Sequence, residues 1–145
     1  MNIDKILETW EQDTVIDHSA LDRESSKIPQ LHAKYLKWLF DYKRKGKQLN
    51  NGYKQLEILK YEYFNGRLPM EKMSDLGWRP FPHKILKNDV QHYIDSDKDL
   101  LKIKDQLDTN KDIISTIDSI IGSINRRSFT IKNAIEFLKF TNGVN

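Results

Sequence analysis

Apolar residues recur every three or four positions between Leu100 and Ile124, which is the repeat of one face of an α-helix. The series consists of Leu100, Ile103, Leu107, Asn110, Ile114, Ile117, Ile121 and Ile124. Asn110 is its polar member, and a polar residue at such a position fixes the register of packed helices at a cost in stability. Ile113 and Ile120 widen the stripe. We therefore expect this helix to contact more than one neighbour.

A second long helix is predicted by apolar residues that share one position of a seven-residue repeat. They are Ile28, Tyr35, Tyr42, Leu49, Leu56 and Tyr63. We expect this helix to begin near Pro29, since proline is tolerated in a first turn, and to end at Asn65-Gly66. Its pattern weakens between Gly46 and Gly52, where either a kink or a turn between two helices is compatible with the sequence.

Shorter elements complete the predicted all-α fold. Helices are expected over residues 3–11, with Asn2 as the cap, over 84–93, and over 130–140 after a break at 126–128. After a break at residues 13–19, Asp17 or Ser19 is the expected cap of the next helix, and Ser96 with Asp99 has the outline of a capping box. Residues 66–83 carry three prolines and predict a mobile segment, either a loop or a short-helix excursion. Trp78 and Phe81 in this segment either contact a partner or pack on the chain's own core.

Positive charge is concentrated in one part of the chain. The net charge is +3, but residues 27–87 carry fourteen bases and five acids, a net of +9. Lysines and arginines gathered in one segment favour a polyanionic partner, because they displace counterions from phosphates. The structural alternative is a lysine-rich helix whose outer face is only solvated.

Most chemistry is excluded by what the sequence lacks. It contains no cysteine, no phosphate-binding GxxxxGK[ST] loop and no HExxH motif. The aspartates of 95–99 would need glycine and glutamate at positions held by Leu100 and Gln106 to form a calcium loop. No apolar run approaches a membrane span or a signal core. We therefore expect a soluble intracellular protein that is not an enzyme, with no cofactor and no metal site.

Basic and aromatic residues occur together in the positively charged segment. Cations follow the phosphates of single-stranded nucleic acid while aromatic rings stack on its bases. The candidate nucleic-acid-binding residues are Arg44, Lys47, Lys54, Lys60, Tyr63 and Arg67. Tyr63 also lies on the apolar repeat, where it would instead be a core residue.

The stretch Leu59-Lys60-Tyr61-Glu62-Tyr63-Phe64-Asn65-Gly66-Arg67 resembles a motif of the UvsY-like recombination mediators of T-even-type bacteriophages. The resemblance continues in order through four further segments and covers most of residues 13–140. These segments are Val15–Leu21, Lys34–Leu39, Ser96–Lys102 and Ser128–Lys132. The family motif usually has a second cation where this chain has Ile58, which favours DNA contact at Lys54 or at residues 43–47. Residues 76–82 have no clear counterpart.

This resemblance implies a mediator that binds single-stranded DNA and contacts a single-strand-binding protein and a RecA-like recombinase in the host cytoplasm. It implies a ring-like homo-oligomer of six or seven subunits, with no membrane partner. Residues 1–95 would form the DNA-binding region and residues 96–145 the oligomerisation region. The expected oligomer-interface residues are Ile114, Ile117, Ile121, Ile124 and Leu138.

Two rival functions are compatible with the same sequence. One is an oligomeric coiled-coil scaffolding protein that binds no DNA. The other is a protein that binds anionic lipid through its basic run, but its cations do not form one face opposite a strong apolar face.

Overall fold

The computed structural model describes residues 2–143 and consists of five α-helices joined by turns and loops. They are α1 (Ile3–Asp13), α2 (Leu21–Phe64), α3 (Met70–Leu76), α4 (Val90–Asp95) and α5 (Lys98–Thr141). No strand occurs among the described residues. The all-α prediction is confirmed.

The described residues divide into two compact units, to each of which α2 and α5 contribute a part. The first unit comprises residues 2–44 and 111–143, and the second comprises residues 45–110. This division follows packing within the chain. The expected functional division at residue 95 is a separate matter and stays a prediction.

The core of the first unit is formed where α1, the first half of α2 and the second half of α5 pack together. Its buried members are Ile6, Tyr35, Leu39, Tyr42, Ile113, Ile117, Ile120 and Ile124. Tyr35 contacts the rings of Trp10 and Trp38 edge-on, at centroid distances of 5.6 and 5.0 Å. Its hydroxyl donates to Asp13 at 2.9 Å, so a buried polar group is satisfied at the end of α1.

The second unit has an aromatic core built on the last turns of α2. Its buried members are Phe64, Val90, Ile94 and Leu100, with Tyr53, Leu56, Tyr63, Phe81, Ile85 and Tyr93 packed around them. Phe81 contacts Phe64 edge-on at 5.1 Å and Tyr93 at 5.4 Å. The loop after α2 therefore packs on its own unit, which is the second of the two alternatives for Phe81.

Helix α2 is longer and more regular than expected. It begins at Leu21, so Pro29 lies inside the helix, although a proline there removes one backbone hydrogen bond. The predicted start near Pro29 was wrong because buried contacts of Leu21 and Glu24 hold the preceding turns. The helix is also unbroken between Gly46 and Gly52, which excludes a turn.

A close approach of α2 to α5 accounts for Gly46. A Cβ atom at this position would lie 2.8 Å from the side-chain Nδ2 of Asn110. Asn110 is itself buried. The small residue on one helix thus makes room for the polar member of the apolar stripe on the other.

Three other predicted boundaries require correction. The break expected at 126–128 is absent, because Arg127 is held by contacts made far along the chain. Residues 84–89 are not helical, and α4 begins at Val90. Asp17 accepts from the backbone and hydroxyl of Ser19 in a turn before α2 instead of capping that helix. These two hydrogen bonds lower the pKa of Asp17.

The remaining helix ends were predicted correctly or nearly so. Asn2 caps α1 by accepting from the Lys5 amide at 3.0 Å. Helix α2 ends at Phe64, and Gly66 has the left-handed φ of 72° typical of a C-terminal cap. Asp97, not Ser96, caps α5, since its Oδ1 accepts from the amides of Asp99 and Leu100 at 3.0 and 3.1 Å.

Candidate nucleic-acid interface

In the first unit, α2 exposes a group of cations around one aromatic ring. Lys37, Lys43 and Arg44 are exposed, as is Phe40, and Lys43 Nζ lies 6.0 Å from the centre of the Phe40 ring. Arg44 pairs with Asp41 one turn away, but both side chains are exposed and such a pair contributes little. Arg44 is thus accessible to an anionic ligand.

In the second unit, three of the predicted cations lie on the surface. Lys47 and Lys54 are exposed and seven residues apart on α2, so they share one face of the helix. Arg67 is exposed just after Gly66, beyond the end of α2. None of these three takes part in an ion pair with any residue of the range 2–143.

Lys60 is placed differently, because it is 7% exposed. Its Nζ lies 3.0 Å from Asp97 and 2.9 Å from Asp99, and 4.3 Å from the centre of the Trp78 ring. Burial disfavours the charged ammonium, but the hydrogen bonds to Asp99 and Asp97 outweigh it and raise the pKa of Lys60. Lys60 is therefore charged, and the two carboxylates compensate this charge inside the second unit.

Tyr63 is likewise occupied within the second unit. Its hydroxyl donates to the backbone carbonyl of Arg79 at 2.5 Å, and its ring packs 5.3 Å from Trp78 and 5.7 Å from Phe81. The ring thus has neighbours where a base would have to stack. The structure therefore separates the predicted set into exposed cations and an internal Lys60–Tyr63 pair.

A groove beside this pair was not foreseen from the sequence. It has a volume of about 430 Å³ and is lined by Glu57, Ile58, Tyr61, Glu62, Arg67, Gln91 and Ile94. Ile58 is 61% exposed, which is unusual for an isoleucine beside a core, and Tyr61 is 44% exposed. The sequence feature that could have indicated this groove is the spacing of Lys54, Ile58 and Tyr61, which places all three on one face of α2.

The residues expected at an oligomer interface lie in several environments. Ile117 and Ile124 have no exposed surface and belong to the chain's own first unit, while Ile114 and Ile121 pack partly against it. Leu138 is exposed near the end of α5. Three phenylalanines of the same segment are also exposed: Phe129, Phe137 and Phe140. Accessible apolar surface therefore occurs at the end of α5, beyond the predicted stripe.

The described part of the chain offers neither a metal cluster nor a membrane span. No group of three or more His, Asp or Glu residues within 2–143 could hold a metal ion. None of the described helices is long and apolar enough to cross a membrane.

Comparison with solved structures shows how closely this fold matches known ones. Three crystal forms of the bacteriophage T4 recombination mediator protein UvsY superpose with TM-scores of 0.80, 0.84 and 0.78 at 20%, 19% and 20% identity. The matches cover 98%, 97% and 94% of this chain and 98%, 99% and 98% of those chains. No curated protein sequence matches.

A family model settles the relationship at the level of sequence. The model described as "Recombination, repair and ssDNA binding protein UvsY" matches residues 9–144, nearly the whole chain. The resemblance seen in five short segments is thereby confirmed. The chain belongs to the UvsY family of recombination, repair and single-stranded-DNA-binding proteins.

Proposed function

We propose that this protein is a recombination mediator. It binds single-stranded DNA and promotes the loading of a RecA-like recombinase onto strands covered by a single-strand-binding protein. It acts without enzymatic chemistry, in the cytoplasm of a phage-infected host. Membership of the UvsY family supports the recombination role, and the exposed cations of α2 are the observation that carries the DNA-binding step.

The exposed cations are the proposed phosphate contacts. Lys47 and Lys54 present two positive charges on one face of α2, and Arg67 adds a third beyond its end. Arg44 contributes a further charge in the first unit, near the exposed Phe40 ring. Phosphate contacts of this kind supply affinity without sequence preference.

Lys60 and Tyr63 are not among the proposed DNA contacts. Because Asp97 and Asp99 already neutralise Lys60, it stabilises the second unit and holds the surface in place. The family position two residues earlier is Ile58, which carries no charge. The phosphate-binding charge of this chain is therefore assigned to Lys54, Arg67 and the 43–47 run.

Assembly into a ring of six or seven copies would multiply weak contacts. Phe129, Phe137, Leu138 and Phe140 provide exposed apolar surface for contact between copies. Repeating the cations around a ring raises the effective concentration of each phosphate contact, so that overall avidity exceeds the affinity of one subunit. An oligomer that holds the strand in this way shifts the competition between the recombinase and the single-strand-binding protein.

The direct test is fluorescence-anisotropy binding to a labelled single strand and to an equal-length duplex, across a salt series. We expect a preference for the single strand and a steep salt dependence. Lys54→Ala and Arg67→Ala should each weaken binding and flatten the slope of log K against log salt by about one unit. Lys104→Ala, which removes an exposed lysine of α5, is the matched control and should leave the slope unchanged.

Two outcomes would overturn this function. Absence of salt-sensitive strand binding would leave the scaffolding alternative. Strand binding without faster recombinase assembly on a strand already covered by single-strand-binding protein would remove the mediator role but keep the DNA-binding role.

A further inference from the structure

The groove beside the end of α2 has the size and lining of a small-molecule site. Its volume of about 430 Å³ lies in the range typical of ligand pockets. It is formed within the second unit, by Glu57, Ile58, Tyr61 and Glu62 on α2, by Arg67 after it, and by Gln91 and Ile94 on α4. It is open to solvent, since Ile58, Tyr61 and Arg67 are all exposed.

The apolar part of the lining favours a flat, uncharged occupant. Ile58 and Tyr61 lie three residues apart on α2 and therefore on one face, and Ile94 of the aromatic core also lines the groove. Unlike Tyr63, Tyr61 has no other ring packed against it among the described aromatic contacts. Its face is available for stacking.

The charged residues of the lining favour an uncharged ring inside the groove and phosphates at its cations. Glu57 and Glu62 bring two carboxylates to the groove, which repel a phosphate inside it. Arg67 lies on the same groove, and Lys54 lies one turn before Ile58 on the same helix. A nucleotide matches this arrangement when its base enters the groove and its phosphates meet the two cations.

We propose that this groove is a binding subsite for one unpaired nucleobase, stacked on Tyr61 and flanked by Ile58, with the adjoining phosphates at Arg67 and Lys54. This assignment rests on the proposed single-strand binding and adds to it a contact with the base itself. Duplex DNA is excluded from the subsite because its bases are paired and stacked inside the helix. The groove thus gives a single-strand preference that phosphate contacts alone do not supply.

The test compares an oligodeoxycytidine strand with an abasic deoxyribose-phosphate strand of equal length, so that the number of phosphates is the same. The unaltered full-length protein should bind the base-bearing strand roughly five-fold to a hundred-fold more tightly, as expected for stacking on an aromatic ring. Tyr61→Ala should bring this ratio close to one without changing the salt slope. Tyr61→Phe keeps the ring and should retain the ratio.

Lys54→Ala is the opposite control, because it should weaken both strands equally and lower the salt slope. Circular dichroism and thermal unfolding check that the exposed Tyr61 can be replaced without loss of the fold. Ile58→Ser removes the other apolar wall and should lower the same ratio, so the subsite does not depend on one variant.

The failure of the subsite is distinguishable from the failure of the proposed function. Equal affinity for the two strands, or a ratio that Tyr61→Ala and Ile58→Ser leave unchanged, would overturn the base subsite while strand binding stands. No salt-sensitive binding of either strand would overturn both.

Discussion

The carboxylate of Asp97 joins the end of one helix to the side of another through Lys60. Its Oδ1 accepts from the amides of Asp99 and Leu100 at the start of α5, and its Oδ2 lies 3.0 Å from Lys60 Nζ on α2. Asp99 adds a second carboxylate and Trp78 covers the ammonium from another side. A lysine that the mixture of basic and aromatic residues placed among the DNA-binding candidates therefore anchors the second unit of the fold.

Replacement of Lys60 should affect stability more directly than DNA contact. Lys60→Met keeps most of the unbranched apolar stem but leaves the nearly buried Asp97 without its cation, and breaking a buried pair in this way costs about 3–5 kcal/mol. Denaturant unfolding should show a loss approaching that size. Lys54→Met, on the exposed face of the same helix, should change stability by less than about 0.5 kcal/mol. A fully stable Lys60→Met protein with a reduced salt slope would instead return Lys60 to the phosphate-binding set.

The buried pair of Glu24 and Arg127 should be required for the continuity of α5. Arg127 donates to Glu24 at 2.9 Å and to the carbonyls of Thr14 and Val15 at 3.1 Å. Arg127→Met leaves the Glu24 carboxylate without this partner and should destabilise the protein by about 3–5 kcal/mol, measured by thermal or denaturant unfolding. Arg126→Met, next to it and exposed, should have little effect. Equal effects of the two changes would contradict this role.

Because of the Glu24 carboxylate, we expect the stability of the protein to fall at acidic pH. The hydrogen bond from Lys27 lowers the pKa of Glu24, burial opposes this, and Arg127 lowers it further. A group whose pKa is lower in the folded state stabilises the protein above its unfolded pKa, and this stabilisation is lost as the pH falls through the folded value. Unfolding followed from pH 6 downward should show the loss below the ordinary value of 4.5. This loss of stability should be smaller in Glu24→Gln, when each protein is compared with its own stability at pH 6.

Alkaline conditions should destabilise the protein through its buried tyrosines. Burial raises the pKa of Tyr35, and its hydrogen bond to Asp13 raises it further; burial also raises the pKa of Tyr42. The folded state then holds these protons above the ordinary value of 10, so stability falls as the pH rises beyond it. Urea unfolding between pH 8 and 11 should show this fall. Tyr35→Phe should flatten it, and an unchanged curve would mean that Tyr35 does not contribute.

Two glycines of α2 form a matched pair for testing the helix contact at Asn110. Gly46→Ala places a methyl group 2.8 Å from Asn110 Nδ2, whereas Gly52→Ala meets no atom within 4 Å. Alanine favours a helix over glycine by about 0.5–1 kcal/mol. Gly52→Ala should therefore gain up to that amount, while Gly46→Ala should gain less or lose stability. Equal gains would show that Asn110 moves aside freely.

The exposed apolar end of α5 should control assembly. Phe137→Asp introduces a charge at a side chain that is 66% exposed, so it should reduce the proposed oligomer to a smaller species in light scattering without unfolding the subunit. Leu86→Asp, at another exposed apolar residue, is the control and should leave the mass unchanged. Ile117→Asp is unsuitable for this purpose, because Ile117 is wholly buried in its own subunit. An unchanged mass for Phe137→Asp would place the interface elsewhere.

The sequence predicted the elements whose cause is local. Asn2 caps α1, Gly66 follows the end of α2, and α5 ends at Thr141, one residue after the predicted end of the last helix at residue 140. Helical periodicity and capping depend on residues within one or two turns, so both are visible in a single sequence. The all-α class follows from the same local patterns.

Tertiary contacts decided which residues of the candidate site are accessible. Lys54 and Lys60 are both lysines of one helix, yet one is exposed and the other is buried against Asp97 and Trp78. Arg127 continues α5 through a predicted break because its partners are Glu24 and the carbonyls of Thr14 and Val15. The partners of Lys60 and Arg127 lie tens of residues away in the sequence, so no local pattern contains them. The sequence alone thus determined the helical class and the helix ends that depend on neighbouring residues. Only packing in three dimensions decided that α2 begins before Pro29, that α5 continues through residues 126–128, and which of the charges face solvent.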